Sequence, residues 1–130
     1  MLKKLLILLA VVMGIATFVP EARERLVERS RPLLNPAHRW ISHQQMNQMV
    51  QDLEFHQETR GALPTARGEF DAWMNQRYPQ ERSRQDAWGT RYRLEVRADR
   101  FLVVSAGPDR TFGTDDDLER EGRRLPTRRP

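Results

Sequence analysis

Residues 105–118 crowd four carboxylates into one turn-rich segment, and this crowding restricts how that part of the chain can fold. The acids are Asp109, Asp115, Asp116 and Asp117, and the glycines and the proline between them are turn formers. Because like charges repel when they are held together, the segment either stays in solvent or folds around a cation. A hard cation such as calcium takes side-chain and backbone carbonyl oxygens from an irregular loop. The segment therefore predicts a calcium site, with a solvated acidic turn as the alternative.

The spacing of the segment differs from that of an EF-hand. Counted from Asp109, the glycine that the EF-hand places sixth is Gly113 at the fifth position. The twelfth position holds Arg120, where the EF-hand has a bidentate glutamate. A calcium site here would belong to another class of loop.

Two motifs in this part of the chain resemble a known family. The first is Asp86-Ala87-Trp88-Gly89, and the second joins Ser105-Ala106-Gly107-Pro108-Asp109 to Gly113-Thr114-Asp115-Asp116-Asp117-Leu118. Their order and spacing are similar to the C-terminal half of the major pseudopilin, protein G, of type II secretion systems. That family typically reads Asp-Pro-Trp-Gly, a hairpin, Ser-x-Gly-Pro-Asp-Gly and a closing Asp-Asp-Ile. Arg110 stands where the family usually has glycine.

The family loop binds a structural calcium ion, so the resemblance implies calcium as the cofactor of this chain. It implies three side-chain ligands and three backbone carbonyl ligands. The side-chain ligands are Asp109, Asp116 and Asp117, and the carbonyl ligands are Ala106, Thr111 and Thr114.

The resemblance also implies a fold and a role. The fold is α+β, with an N-terminal membrane helix and an amphipathic helix packed on a small antiparallel sheet. The role is structural, as a subunit or accessory of a type II secretion system. The implied partners are the membrane and other pseudopilin subunits or secretion-system components, with no small-molecule substrate.

The composition sets outer limits on the protein. A chain of 130 residues leaves room for one small domain beside an N-terminal anchor, and a bound metal would add stability to so small a core. The chain has no cysteine, which excludes disulfides and thiolate metal sites. The formal net charge is +4, but the arginines are scattered and form no basic stripe with interleaved aromatics, so we expect no nucleic-acid partner.

Residues 1–20 are largely apolar after Lys3 and Lys4. This pattern predicts a membrane anchor whose lysines reach back to the interface. A cleaved signal peptide, with a small-residue cleavage site at Gly14-Ile15-Ala16, is the alternative. The anchor is the favoured interpretation, and it predicts a single-pass protein of the inner membrane with its C-terminal domain in the periplasm.

The same stretch departs from the pseudopilin pattern. It lacks the basic leader, the glycine before the cleavage point and the phenylalanine of the mature start, and Leu5 replaces the family glutamate if Met1 corresponds to that start. In the family this glutamate pairs with a neighbouring subunit during assembly. Its replacement favours an alternative function, a membrane-tethered or secreted calcium-binding domain that stands alone and does not polymerise.

Residue periodicity places the remaining elements. Asn35-Pro36 favours a helix start, and apolar residues at i, i+3, i+4 and i+7 predict that one face of this helix, which ends near Gly61, packs in the core. A shorter helix is predicted after Thr65, and alternation over residues 92–96 followed by the apolar run 101–104 predicts a hairpin. The apolar face consists of Met46, Met49, Val50 and Leu53.

These patterns divide the chain into four segments. They are a membrane anchor over 1–20, a charged juxtamembrane segment with a hinge at Pro32 and Pro36 over 21–35, a pseudopilin-like domain over 36–118, and a disordered basic tail over 119–130.

The sequence shows no pattern typical of an enzyme. His38, His43 and His56 are spaced so that they do not share one helix face, and no Ser-His-Asp or Cys-His arrangement is suggested. Paired carboxylates that act as acid and base are held apart in a cleft, whereas Asp115, Asp116 and Asp117 are adjacent. We therefore expect no catalytic residue.

Overall fold

The computed structural model describes the backbone of residues 2–18 and 20–126 and the side chains of residues 2–11 and 35–126. Within these residues it contains three α-helices, one short 3₁₀ helix and a small antiparallel sheet, so the predicted α+β class is confirmed. The elements are α1 (Leu2–Phe18), α2 (Pro20–Arg60), α3 (Glu69–Arg77), the 3₁₀ helix (Glu81–Arg84), β1 (Arg93–Val96), β2 (Arg100–Ser105) and β3 (Leu118–Arg123). The chain divides into two compact units, Met1–Asn35 and Pro36–Pro130.

The predicted membrane anchor is corrected by the structure. Among residues 2–18 and 20–126, no helix combines the length and the apolar character needed to cross a membrane. α1 has 17 residues, which at about 1.5 Å per residue extend roughly 26 Å, short of a hydrocarbon core of about 30 Å. α2 is longer, but charged residues recur along it. The prediction of a single-pass protein of the inner membrane is therefore wrong.

α2 is one continuous helix. The expected interruption at Pro32 and Pro36 does not occur, since helical backbone runs from Pro20 to Arg60. A proline removes one backbone donor, and a helix can continue past it when the other turns keep their hydrogen bonds. The expected end near Gly61 is confirmed, because Gly61 has a φ of 80° and its N–H donates to the Gln57 carbonyl at 2.9 Å.

The core of the second unit lies between α2 and the sheet. The predicted apolar face of α2 is confirmed as buried, and it shares one cluster with β2 residues such as Phe101 and Val103. α3 adds Trp73 and Met74 to this cluster. α3 begins later than predicted, at Glu69, because Gly68 before it has left-handed backbone, which a right-handed helix cannot include.

The three strands follow one another as an antiparallel meander. The predicted hairpin is confirmed by β1 and β2, in which Leu94 lies opposite Val103. β3 pairs along the other side of β2, and the Ser105–Leu118 pair is the last of that ladder. The acidic segment is therefore the connection between two paired strands, and both of its ends are held.

β3 corrects the prediction of a disordered tail over 119–130. Its charged side chains give little strand signal, but its backbone pairs with β2, and Gly122 packs against the Phe101 ring. Beyond the strand, the Gln57 side chain accepts the Leu125 N–H at 2.9 Å and donates to the Arg123 carbonyl. These partners supply the order that the sequence of the segment does not predict. Residues 127–130 lie outside the described residues.

Candidate functional site

The candidate site is the loop of residues 106–117, which connects β2 to β3. Three of its residues have positive φ: Gly107 at 71°, Arg110 at 58° and Gly113 at 85°. Arg110 stands where the resembled family has glycine, and it adopts the left-handed backbone that glycine favours. The turn at Arg110 therefore has a left-handed backbone without a glycine.

Asp109 organises the first half of the loop. One carboxylate oxygen, Oδ1, accepts the Thr111 N–H at 2.9 Å, and the other, Oδ2, accepts the Thr114 hydroxyl at 2.6 Å. The Thr114 hydroxyl and the Thr111 N–H stabilise the charged form, so they lower the pKa of Asp109 below its ordinary value of 3.8. Asp109 is thus held as a carboxylate at neutral pH.

Replacing Thr114 with valine is expected to raise the pKa of Asp109. The hydroxyl stabilises the carboxylate in the folded state, so this contribution to stability is present above pH 3.8 and is lost as the pH falls through the lower, folded pKa. A carbon-13 NMR titration of the Asp109 carboxyl in wild type and Thr114→Val measures the shift. Thr65→Val, outside the loop, serves as the control. Titration of Asp109 at the same pH in all three proteins would show that the hydroxyl does not stabilise the carboxylate.

Asp117 organises the second half of the loop. Its Oδ2 atom accepts the Gly113 N–H at 2.7 Å. Its Oδ1 atom is buried and has no hydrogen-bond partner. A buried, unpartnered polar group costs about 1–3 kcal/mol, and more when it is charged. This oxygen is therefore suited to a partner such as a cation.

Asp115 and Asp116 take different positions. The Asp115 side chain is exposed, and Asp116 is half-buried. The backbone of Asp116 lies against Gly107, where a Cβ atom would overlap its carbonyl oxygen. The loop therefore has two limbs, one that leaves β2 and one that enters β3, and they contact each other at Gly107 and Asp116.

The structure brings some of the predicted ligands together but not all of them. Asp109 and Asp117 bind the same short turn, through Thr114 and Gly113. The predicted carbonyl ligands of Thr111 and Thr114 each accept a hydrogen bond from within the loop, at 3.3 and 3.2 Å. Among the described residues, no group of three or more His, Cys, Asp or Glu side chains is placed to hold a metal ion. The convergence of the three carboxylates on one ion stays a prediction.

The donors nevertheless fit calcium in their chemistry. Every predicted ligand offers oxygen, which is the donor that calcium prefers. The unpartnered Asp117 Oδ1 is a buried anionic oxygen that a cation would neutralise. The loop fits calcium because Asp117 Oδ1 has no partner and because all the predicted ligand atoms are oxygens.

Two contacts dock the loop on the rest of the domain. The guanidinium of Arg93 on β1 lies 3.9 Å from the centre of the Phe112 ring, a cation–π contact. At the start of the loop, Ser105 donates its hydroxyl to Asp86 Oδ2 at 2.7 Å and accepts the Gly107 N–H at 3.1 Å.

The link between Asp86 and Ser105 was not predicted from the sequence. The two residues are 19 positions apart in the chain, and a hydrogen bond joins them in the structure. The available signal was an aspartate at the start of a Trp-Gly turn, because such side chains bind nearby backbone N–H groups. Asp86 does so with Trp88 at 3.1 Å and Thr90 at 2.9 Å.

The fold and the site define a small α+β domain whose β2–β3 loop is acidic and closely hydrogen-bonded. No family model, curated protein or solved structure matched the chain when it was compared with them.

Proposed function

We propose that this protein is a pseudopilin-like structural subunit or accessory of a type II secretion system, with a second unit stabilised by calcium. The observation that carries the proposal is the buried, unpartnered Oδ1 of Asp117 within the acidic loop. The order of the two motifs and the α+β arrangement around the loop also support it.

Asp109 and Asp117 would hold the ion, with Asp116 and the carbonyls of Ala106, Thr111 and Thr114 as the further donors named by the resemblance. Calcium supplies positive charge that offsets the repulsion among these oxygens. The chain's own contribution is to hold the two carboxylates in place, through the hydrogen bonds from Thr114 and Gly113. The role is one of stability, because the loop closes the β2–β3 connection.

A second candidate is a calcium-binding domain that acts alone and does not polymerise. It needs only the acidic loop and its unpartnered Asp117 Oδ1, and no contact with a neighbouring subunit. Sedimentation of the protein in calcium separates the two candidates. Concentration-dependent assembly supports the subunit role, and a monomer at all concentrations supports the domain that acts alone.

Calcium is expected to raise the melting temperature of the full chain. A ligand at about 100 times its Kd adds about 2.7 kcal/mol, which corresponds to roughly 10 °C in a domain of this size. The measurement is thermal unfolding in calcium and in chelator. Asp117→Asn should abolish the rise, because the amide can still accept the Gly113 N–H but carries no charge.

Asp115→Asn is the matched control, since it removes one exposed carboxylate from the same run. It should leave the calcium effect intact. Equal melting temperatures of the wild type in calcium and in chelator would contradict the calcium proposal. A similar loss of the effect in both variants would show that only the summed charge of the loop matters.

A further inference from the structure

We infer that Asp86 is a positioning residue for the acidic loop, and that it acts through the Ser105 hydroxyl to set how tightly the loop holds calcium. The part of this inference that concerns affinity rests on the proposed function. Asp86 lies outside residues 106–117 and is not among the predicted ligands.

The connection from Asp86 to the loop is buried throughout. Asp86 is 4% exposed and Ser105 is fully buried. The Ser105 hydroxyl bridges the two, since it donates to the Asp86 carboxylate and accepts the Gly107 N–H. Solvent cannot readily replace these partners, so each one matters more than a surface hydrogen bond would.

The bridge uses both side-chain oxygens of Asp86. Its Oδ1 atom accepts the backbone N–H groups of Trp88 and Thr90, and its Oδ2 atom accepts the Ser105 hydroxyl. In Asp86→Asn, a side chain that keeps the two backbone bonds would turn its NH₂ group toward Ser105. The Ser105 oxygen would then face two donors, the new amide and the Gly107 N–H, and its own hydrogen would lose its acceptor.

A change in the hydrogen bonds of Ser105 would be passed to the acidic residues through Gly107. The Gly107 N–H is held by Ser105, and the Cα of the same residue lies directly against the Asp116 backbone. Asp116 immediately precedes Asp117, whose Oδ1 is the unpartnered oxygen. A shift of Gly107 would therefore displace the second limb of the loop where its carboxylates begin.

The turn that contains Asp86 and Ala87 is also hydrogen-bonded to α2, and this bond provides a control for the experiment. The Ala87 N–H donates to the Ser42 hydroxyl at 3.0 Å, and Ser42 is fully buried. This bond fixes the turn to α2 but is not part of the path from Asp86 to Gly107. Ser42→Ala should therefore lower stability without changing the loop.

The experiment uses the full chain as wild type, Asp86→Asn, Ser105→Ala and Ser42→Ala. Hydrogen exchange of the Gly107 amide is measured by NMR in chelator, and the Kd for calcium is measured by titration calorimetry. Loss of a group that orients metal ligands typically weakens metal binding about 10- to 100-fold. We expect faster Gly107 exchange and at least a tenfold weaker Kd in Asp86→Asn and Ser105→Ala, with both quantities unchanged in Ser42→Ala.

A lower melting temperature with unchanged exchange and unchanged Kd in Asp86→Asn and Ser105→Ala would overturn the inference, because it would mean that both residues act only in folding. If Asp86→Asn does not fold, Ser105→Ala decides the result, since it keeps the carboxylate and removes only the bridging oxygen. If the wild type binds no calcium, the proposed function fails together with the affinity part of this inference. If the wild type binds calcium and neither Asp86→Asn nor Ser105→Ala changes the Kd, this inference alone is overturned.

Discussion

Gly107→Ala is expected to destabilise the second unit by roughly 3 kcal/mol or more, as the sum of a backbone term and an overlap term. Gly107 has a φ of 71°, which is costly for any residue with a Cβ atom. An added Cβ would also overlap the carbonyl oxygen of Asp116, which is backbone and cannot turn away as a side chain could. The overlap can be removed only if the two limbs of the loop move apart. Urea unfolding followed by circular dichroism gives the change in the free energy of unfolding.

Gly113→Ala is the matched control for this prediction. Gly113 has a similar φ of 85°, but nothing lies within 4 Å of its added Cβ. Gly113→Ala should lower the free energy of unfolding only by the backbone term, about 1–2 kcal/mol. Equal losses in the two variants would mean that the close approach of Gly107 to Asp116 is unimportant for stability. A larger loss for Gly107 would establish that contact as the closure of the loop.

Phe101→Ala is expected to lower the free energy of unfolding by about 3–5 kcal/mol, because it removes a fully buried aromatic ring and leaves a cavity. Phe101 lies on the central strand β2, and its ring contacts Gly122 on β3. The ring also belongs to the cluster that includes Met46 and Leu53 on α2. Its loss therefore weakens the packing of α2 on the sheet as well as the β2–β3 pair that holds the loop. The measurement is again urea unfolding.

Phe55→Ala is the control for the buried ring. Phe55 is on α2 and is 67% exposed, so its removal should change the free energy of unfolding by less than about 0.5 kcal/mol. A loss of less than about 1 kcal/mol in Phe101→Ala would contradict the assignment of this ring to the core.

The ring of Phe101 leaves no room for a side chain at Gly122. A Cβ at Gly122 would overlap the distal atoms of the ring. Glycine in a strand is usually unfavourable, so its place in β3 reflects the close approach of an aromatic ring. This contact explains how a charged segment with a glycine can still form a strand.

Regular periodicity was the part of the sequence that predicted structure correctly. The apolar face of α2 is buried, and the strands on either side of the 97–99 turn form the expected hairpin. Both patterns arise because one face of an element packs on the core, and this requirement is local in the sequence. The position of the acidic loop followed from its turn residues in the same way.

The prediction of a disordered tail failed because the order of this segment depends on partners distant in the chain. β3 was missed because its Glu and Arg side chains resemble a solvated tail, while its order comes from β2 and from Gln57, which is 66 residues from Arg123. The convergence of Asp109, Asp116 and Asp117 on one ion stays a prediction. In the structure Asp109 and Asp117 each bind groups of the intervening turn.

By itself, the sequence determined the buried face of α2, the β1–β2 hairpin, where the acidic loop lies and that its donors are oxygen atoms. Only the tertiary structure decided that the tail joins the sheet, that Asp117 keeps one buried oxygen without a partner, and that Ser105 links Asp86 to the loop. Asp86 and Ser105 are 19 residues apart, and Ser42 and Ala87 are 45 residues apart. Pairings at such separations depend on the complete packing of α2 on the sheet, because a buried polar group takes the partner that the finished core leaves within its reach.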